Sequence, residues 1–266
     1  MKDVTRAVTR HTWRAGKLHQ DEDAIVIEVP VALVYNGISH VVMMATPADL
    51  EDLALGFSLS EGILRDAGQL RDLEIIRRDR GVELSMTVSA EAFAGLKERR
   101  RNLVGRTGCG LCGIESLEQA VPPAAQVSSE LRLPHASLQA AVTALGQRQS
   151  LKRLTGGVHG AAWCDVRGAI ALLREDVGRH NALDKLLGAL ANSGHSGDGY
   201  ALVTSRASYE MVAKAANCNL AVLAAVSAPT SLAVEQARQS GLTLVAFLQP
   251  GRQVIYANPH RIVEES

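Results

Sequence analysis

Three apolar runs at 201–204, 221–227 and 242–248 alternate with amphipathic stretches at 208–217 and 229–240. Strand, helix, strand, helix, strand at this spacing predicts a parallel sheet. Ahead of it, 177–190 reads as a helix with Leu183, Leu186, Leu187 and Leu190 on its buried face, and 136–148 as another. Between those two, the turn Thr155-Gly156-Gly157-Val158-His159-Gly160 leads into an apolar run over 161–173, broken at Arg167-Gly168.

The first third follows a different rhythm. Two β-branched apolar runs, 25–34 and 38–44, flank Asn36-Gly37, which predicts a tight hairpin. Thr46-Pro47 then sets an N-cap hydroxyl before a proline at the first helical position. With Leu50, Leu53, Ala54 and Phe57 on one stripe, this predicts a helix to about Leu64. Runs at 73–76 and 82–88 flank the turn Asp79-Arg80-Gly81, and 91–100 reads as a helix ending in Arg99 and Arg100, with Arg101 next. A short helix is expected over 114–120, with Glu115 and Glu118 facing water. Residues 122–129 are rich in breakers. The expected architecture is α/β, with an α+β domain over 1–121, a linker at 122–134 and an α/β domain over 135–266.

Between the halves lies Gly105-Arg106-Thr107-Gly108-Cys109-Gly110-Leu111-Cys112-Gly113. So many glycines disfavour both helix and strand, and they leave two thiols open to close approach. Arg106 and the basic run 99–101 supply positive charge, which lowers a thiol pKa. Residues 1–23 mix basic, acidic and polar side chains with no apolar core of signal-peptide length, so a cytoplasmic protein is expected. In that compartment a Cys-x-x-Cys binds metal or performs thiol chemistry. Cys109 and Cys112 are candidate catalytic residues; the competing reading is half of a zinc site, completed among His159, Cys164 and Cys218. Cys164 and Cys218 have apolar neighbours and read as small hydrophobes.

Composition narrows the partners. The 266 residues carry 28 basic and 28 acidic side chains, and only 3% are aromatic, so general nucleic-acid binding is disfavoured and any anion site must be local. No run is long enough to span a bilayer.

In an open parallel sheet, ligands gather beyond the carboxyl ends of the strands, where helix N-termini offer free N–H groups. Here those ends carry Thr204-Ser205-Arg206-Ala207-Ser208, Ser227-Ala228-Pro229-Thr230-Ser231 and Gln249-Pro250-Gly251-Arg252, a rim suited to phosphate. His159, Arg179 and His180 are candidate additional donors. Glu175 and Asp176 read as helix caps. No glycine-rich turn matches a P-loop or a dinucleotide fingerprint, so ATP hydrolysis and hydride transfer have no support.

The cysteine stretch, Thr155-Gly156-Gly157-Val158-His159, the run Glu175-Asp176-Val177-Gly178-Arg179-His180-Asn181-Ala182-Leu183-Asp184-Lys185, Ser205-Arg206-Ala207-Ser208-Tyr209-Glu210 and the Ser227–Ser231 motif together resemble the FdhD family, the formate dehydrogenase accessory sulfurtransferases. The resemblance implies a sulfur carrier, with a cysteine desulfurase as donor and the sulfur held as a persulfide on Cys109. The acceptor it implies is the molybdenum bis(pyranopterin guanine dinucleotide) cofactor, before that cofactor enters formate dehydrogenase. The family's cofactor-binding stretch falls on Phe247, Leu248, Gln249, Pro250, Gly251 and Arg252, with Ser205, Arg206, Ser227, His159, Arg179 and His180 on the same rim. The resemblance also implies a homodimer and a fold similar to cytidine deaminases, three layers with a smaller added domain. Deaminase chemistry is not implied, because the chain has neither His-x-Glu nor Pro-Cys-x-x-Cys.

Overall fold

The computed structural model describes residues 4–103, 124–194 and 198–264. The glycine-rich stretch with Cys109 and Cys112, and the helix expected over 114–120, lie outside the described residues.

The second half is built on a six-stranded sheet in the order β13-β12-β11-β10-β8-β9. β10 (Gly199–Val203), β11 (Val222–Ala225) and β12 (Thr243–Gln249) run parallel, as the alternation predicts. The antiparallel hairpin β8 (His159–Asp165) and β9 (Ile170–Asp176) extends one side, and β13 (Arg252–Ala257) the other. Alternate residues of a strand point to opposite faces, so the sheet feeds two cores. Ala161, Trp163, Ala201 and Val203 pack with α5 (Arg179–Ser193), α6 (Tyr209–Asn217) and α7 (Ser231–Ser240). Ala162, Cys164, Tyr200 and Leu202 pack with α3 (His135–Arg148) on the other face. Helices therefore cover both faces, making three layers. A short helix, α4 (Ser150–Thr155), precedes β8, and Glu175 caps it by accepting the Leu151 and Lys152 N–H groups at 2.9 Å each.

The first half is a four-stranded sheet, β4-β3-β6-β5, covered by α1 (Leu50–Ser60). β3 (Val29–Tyr35) and β4 (Ile38–Ala45) form the expected hairpin; Asn36 and Gly37 take φ of 46° and 79°, the positive values that a two-residue turn of this kind needs. β5 (Leu70–Arg78) and β6 (Gly81–Val88) make the second hairpin, followed by α2 (Ala90–Leu103). Two expectations change here. The run 25–34 is split: its start belongs to β2 (Lys17–Val26), which pairs over ten positions with β1 (Thr5–Arg14) as a two-stranded ribbon. Ala15 and Gly16 turn this ribbon, and Arg10 bridges Asp21 and Asp23 across it. Thr46, moreover, caps nothing. Asp49 occupies the N-cap, and the helix ends at Ser60 rather than near Leu64.

The two halves meet where α1 crosses α5 at backbone contact. A Cβ on Gly56 would lie 1.7 Å from the Asp184 carbonyl oxygen, and one on Gly188 would lie 1.9 Å from that of Asp52. Leu183, Leu186 and Leu187 of α5 face the sheet core as predicted, but Asp184 and Lys185 are wholly buried too, because α1 covers that face. The breaker-rich stretch lies against the second half: Val127 N–H donates to Ser240 O at 2.9 Å, Leu131 and Leu133 are buried, and β7 (Leu133–Pro134) pairs parallel with β14 (Ile262–Val263). Among the described residues, no helix is long and apolar enough to cross a membrane.

Candidate functional site

Because β10, β11 and β12 are parallel, their carboxyl ends share one edge, and the chain leaves each of them into a polar loop. Those loops are laced by main-chain bonds. Ala207 N–H donates to Ala228 O (3.1 Å), Thr230 N–H to Ala207 O (3.0 Å) and Phe247 N–H to Ser227 O (3.1 Å). The antiparallel β8 starts at this edge, where Gly160 N–H donates to Thr204 Oγ1 at 2.9 Å and Thr204 N–H to Gly160 O at 3.0 Å. β9 ends here, with Asp176 opposite His159 in register. The N-termini of α5, α6 and α7 thus open on one rim with their positive dipole ends, the Thr230 hydroxyl accepting the Ala233 N–H at the start of α7.

The side chains add donors. Among the described residues His159 Nδ1, Arg179 Nε and His180 Nε2 are shielded from solvent and have no hydrogen-bond partner. His180 Nε2 stands 3.9 Å from Glu210 Oε2, too far for a hydrogen bond. Burial is the main reason that both imidazoles titrate below the ordinary histidine value. Lys152 and Arg179 depress His159 further, and Arg179 does the same to His180, with Glu210 opposing. Both rings are therefore neutral near pH 7, each with one N–H to give and one lone pair. Arg206 is exposed, whereas Ser205 is buried with its hydroxyl donated to the Arg206 carbonyl.

The stretch 247–252 forms the tip of the β12–β13 hairpin at the same edge. Phe247 holds a φ of 48°, and the Arg252 guanidinium lies 5.4 Å from its ring centroid. Gln249, Pro250, Gly251 and Arg252 are exposed. Leu248 is not available: its side chain is wholly buried in the core under α3, so it meets a ligand only through its main chain.

The alternative metal ligands are not brought together. His159 sits on the rim, Cys164 in the core beneath α3, and Cys218 beyond α6 at the opposite edge of the sheet. Burial pushes both thiols up to about 12, which keeps them protonated and matches their reading as small hydrophobes. Among the described residues no three His, Cys, Asp or Glu side chains are grouped to hold a metal ion. Cys218 lines a cleft of about 1090 Å³ between the halves, with Leu59, Glu61, Arg65, Leu187 and Asn217. Ala125, just after the chain re-enters the described structure, lines it too, its N–H donated to Asn217 Oδ1 at 3.3 Å.

A second group of polar residues takes part in ion pairs that the sequence does not reveal, Asp176 being expected only as a helix cap. Asp176 and Lys185, both wholly buried, form an ion pair of 2.6 Å at the rim end of the interface. Toward the cleft, Lys214 Nζ donates to Asp184 Oδ1 (2.9 Å) and Glu61 Oε1 (2.7 Å), while Ser60 Oγ donates to Asp184 Oδ1 at 2.6 Å.

The FdhD/NarQ family profile matches residues 26–263. The chain belongs to that family. It is 56% identical over 263 residues to the sulfur carrier protein FdhD of Cupriavidus necator, covering 98% of this chain and 91% of that one. The sulfur carrier protein FdhD of Xanthomonas euvesicatoria pv. vesicatoria is 49% identical over 262 residues, with 97% and 92% covered. In three dimensions the FdhD/NarQ fold here is similar to a crystal structure from Desulfotalea psychrophila, of a protein designated a formate dehydrogenase accessory protein. The TM-score is 0.75 at 25% identity, covering 98% of this chain and 100% of that one.

Proposed function

We propose that this FdhD/NarQ protein is a sulfur carrier serving a formate dehydrogenase. In this reading the Cys109 thiolate attacks the outer sulfur of a persulfide on a cysteine desulfurase. A sulfur–sulfur bond forms on Cys109 as the donor's bond breaks, and the donor cysteine leaves as thiolate. The carried sulfur goes to the molybdenum bis(pyranopterin guanine dinucleotide) cofactor as substrate, before that cofactor enters formate dehydrogenase. Cys112 either relays the sulfur or closes a disulfide with Cys109. The protein works in the cytoplasm as a homodimer.

The observation that carries this reading is the family match over 26–263, which spans the Cys-x-x-Cys stretch. The rim supports the choice of acceptor. Three helix N-termini, the unpartnered Arg179 Nε and the unpartnered ring nitrogens of His159 and His180 suit the phosphates of a dinucleotide, and Arg206, Arg252 and the main chain of 247–251 lie on the same edge. Neutral His159 and His180 hold a proton at one ring nitrogen and so donate to phosphate without adding charge.

The test is the intact mass of the protein after incubation with an active cysteine desulfurase and L-cysteine. Wild type gains the mass of one sulfur atom, which reductant removes, and Cys109→Ala gains none. No gain in wild type would sink the reading. The open rim would also serve a chaperone that only holds the cofactor; full activation of formate dehydrogenase with Cys109→Ser would favour that.

A further inference from the structure

Asp176 ends β9 and is wholly buried. Its two carboxylate oxygens accept four hydrogen bonds. Oδ1 takes the Gly178 N–H at 2.7 Å and Asn181 Nδ2 at 3.0 Å; Oδ2 takes the Thr46 N–H at 2.9 Å and Lys185 Nζ at 2.6 Å. A carboxylate has about four lone-pair sites, so this one is saturated. Two of its donors are themselves shared: Lys185 Nζ also donates to Thr46 O (2.9 Å) and Asn181 Nδ2 to Met44 O (2.8 Å); beside them the Val177 N–H donates to Thr46 Oγ1 (3.2 Å).

All four donors converge on the turn that carries Arg179 and His180 onto the rim. Gly178 leaves that turn no slack, since a Cβ there would meet Asn181 Nδ2 at 2.9 Å. Across the β8–β9 ladder, Asp176 stands opposite His159. A buried ion pair contributes little stability that apolar side chains of the same volume could not, because both charges must be stripped of water. What apolar side chains lack is direction: here the Gly178 and Asn181 bonds to Oδ1 close the turn on itself, while the bonds of Asp176, Val177 and Asn181 to Thr46 and Met44 fix it against the end of β4.

We infer that Asp176, with Lys185 as its counter-ion, is a positioning residue for the ligand rim. It locks the first turn of α5 against Met44 and Thr46, so that Arg179 and His180 are set before any ligand arrives. That the rim binds a guanine nucleotide rests on the function proposed above; the positioning role does not.

Two measurements on the full chain separate the two. The first is amide hydrogen exchange of the peptide 176–182. In D176N/K185M, which is neutral and close in shape, that peptide exchanges about tenfold faster while α6 and α7 stay at wild-type rates, the change expected from losing bonds to a charged group. Wild-type exchange of 176–182 in the double variant overturns the positioning role. The second is calorimetric binding of guanosine diphosphate, weakened about tenfold in the double variant although its melting temperature recovers relative to D176N. Equal affinity in both proteins also overturns it, whereas no binding by wild type tells against the guanine reading alone. Should the double variant not fold, Asn181→Ala keeps the ion pair and removes only the side-chain bonds from Asn181 to Asp176 and to Met44. It is expected to speed exchange of 176–182 about fivefold, and no change there overturns the proposal.

Discussion

Two buried ion pairs flank the crossing of α1 and α5, and they are built differently. Asp176–Lys185 at the rim end is sealed, with both side chains at 0% exposure and every carboxylate lone pair taken. Asp184–Lys214 at the other end is shared with Glu61, whose side chain is 45% exposed and lines the cleft. Burial alone would lower the Lys214 ammonium, but Asp184 and Glu61 outweigh it and hold it above its ordinary value. Burial raises the Asp184 carboxyl, with Lys214 and Ser60 opposing. The sealed pair has no route to relax, whereas the shared pair keeps a solvent-facing partner. One end of the interface is therefore a fixed reference and the other can adjust its charge.

That contrast can be broken in order of expected effect. Lys185→Met strands a saturated carboxylate away from water and should cost about 4 kcal/mol in urea unfolding. Gly188→Ala forces apart the crossing that both pairs brace, since its methyl would overlap the Asp52 carbonyl; about 3 kcal/mol is expected from the same measurement. Lys214→Met should cost less, about 2 kcal/mol at pH 7, because Asp184 can take up a proton. The sign follows from the raised Asp184 carboxyl. A carboxyl titrating higher in the folded state favours folding at low pH and loses that contribution as pH rises through the folded value. The Lys214→Met penalty should therefore shrink between pH 7 and 5, and a penalty that grows would contradict the adjustable end.

Much of this was legible in the sequence, for definite reasons. Three parallel strands with their helices, and the Asn36-Gly37 hairpin, follow from periodicity and turn chemistry because each element has one buried face. The β1–β2 ribbon has none; Trp13 and Leu18, paired across it, are 71% and 63% exposed, so alternation gave no signal. Thr46 misled because a hydroxyl before proline looks the same whether it caps a helix or accepts a bond from Val177 in the other half. Likewise, polar residues on the back of α5 read as a wet face until α1 is laid over them. The rim was legible as a set of strand ends; Asp176 behind it was legible only as a helix cap, since its donors lie up to 130 residues away in the chain.

The pairing of β7 with β14 sets Leu133 and Pro134 beside Ile262 and Val263, pointing the same way. Arg261 reinforces the seam, its guanidinium donating to Ser129 O at 2.9 Å and Gly241 O at 2.6 Å. Pulling the C-terminal tail outward while the chain before Leu133 is held loads these bonds in shear, all at once, rather than peeling them singly. A force applied beyond Val263 therefore meets the strand pairing and the Arg261 bonds together.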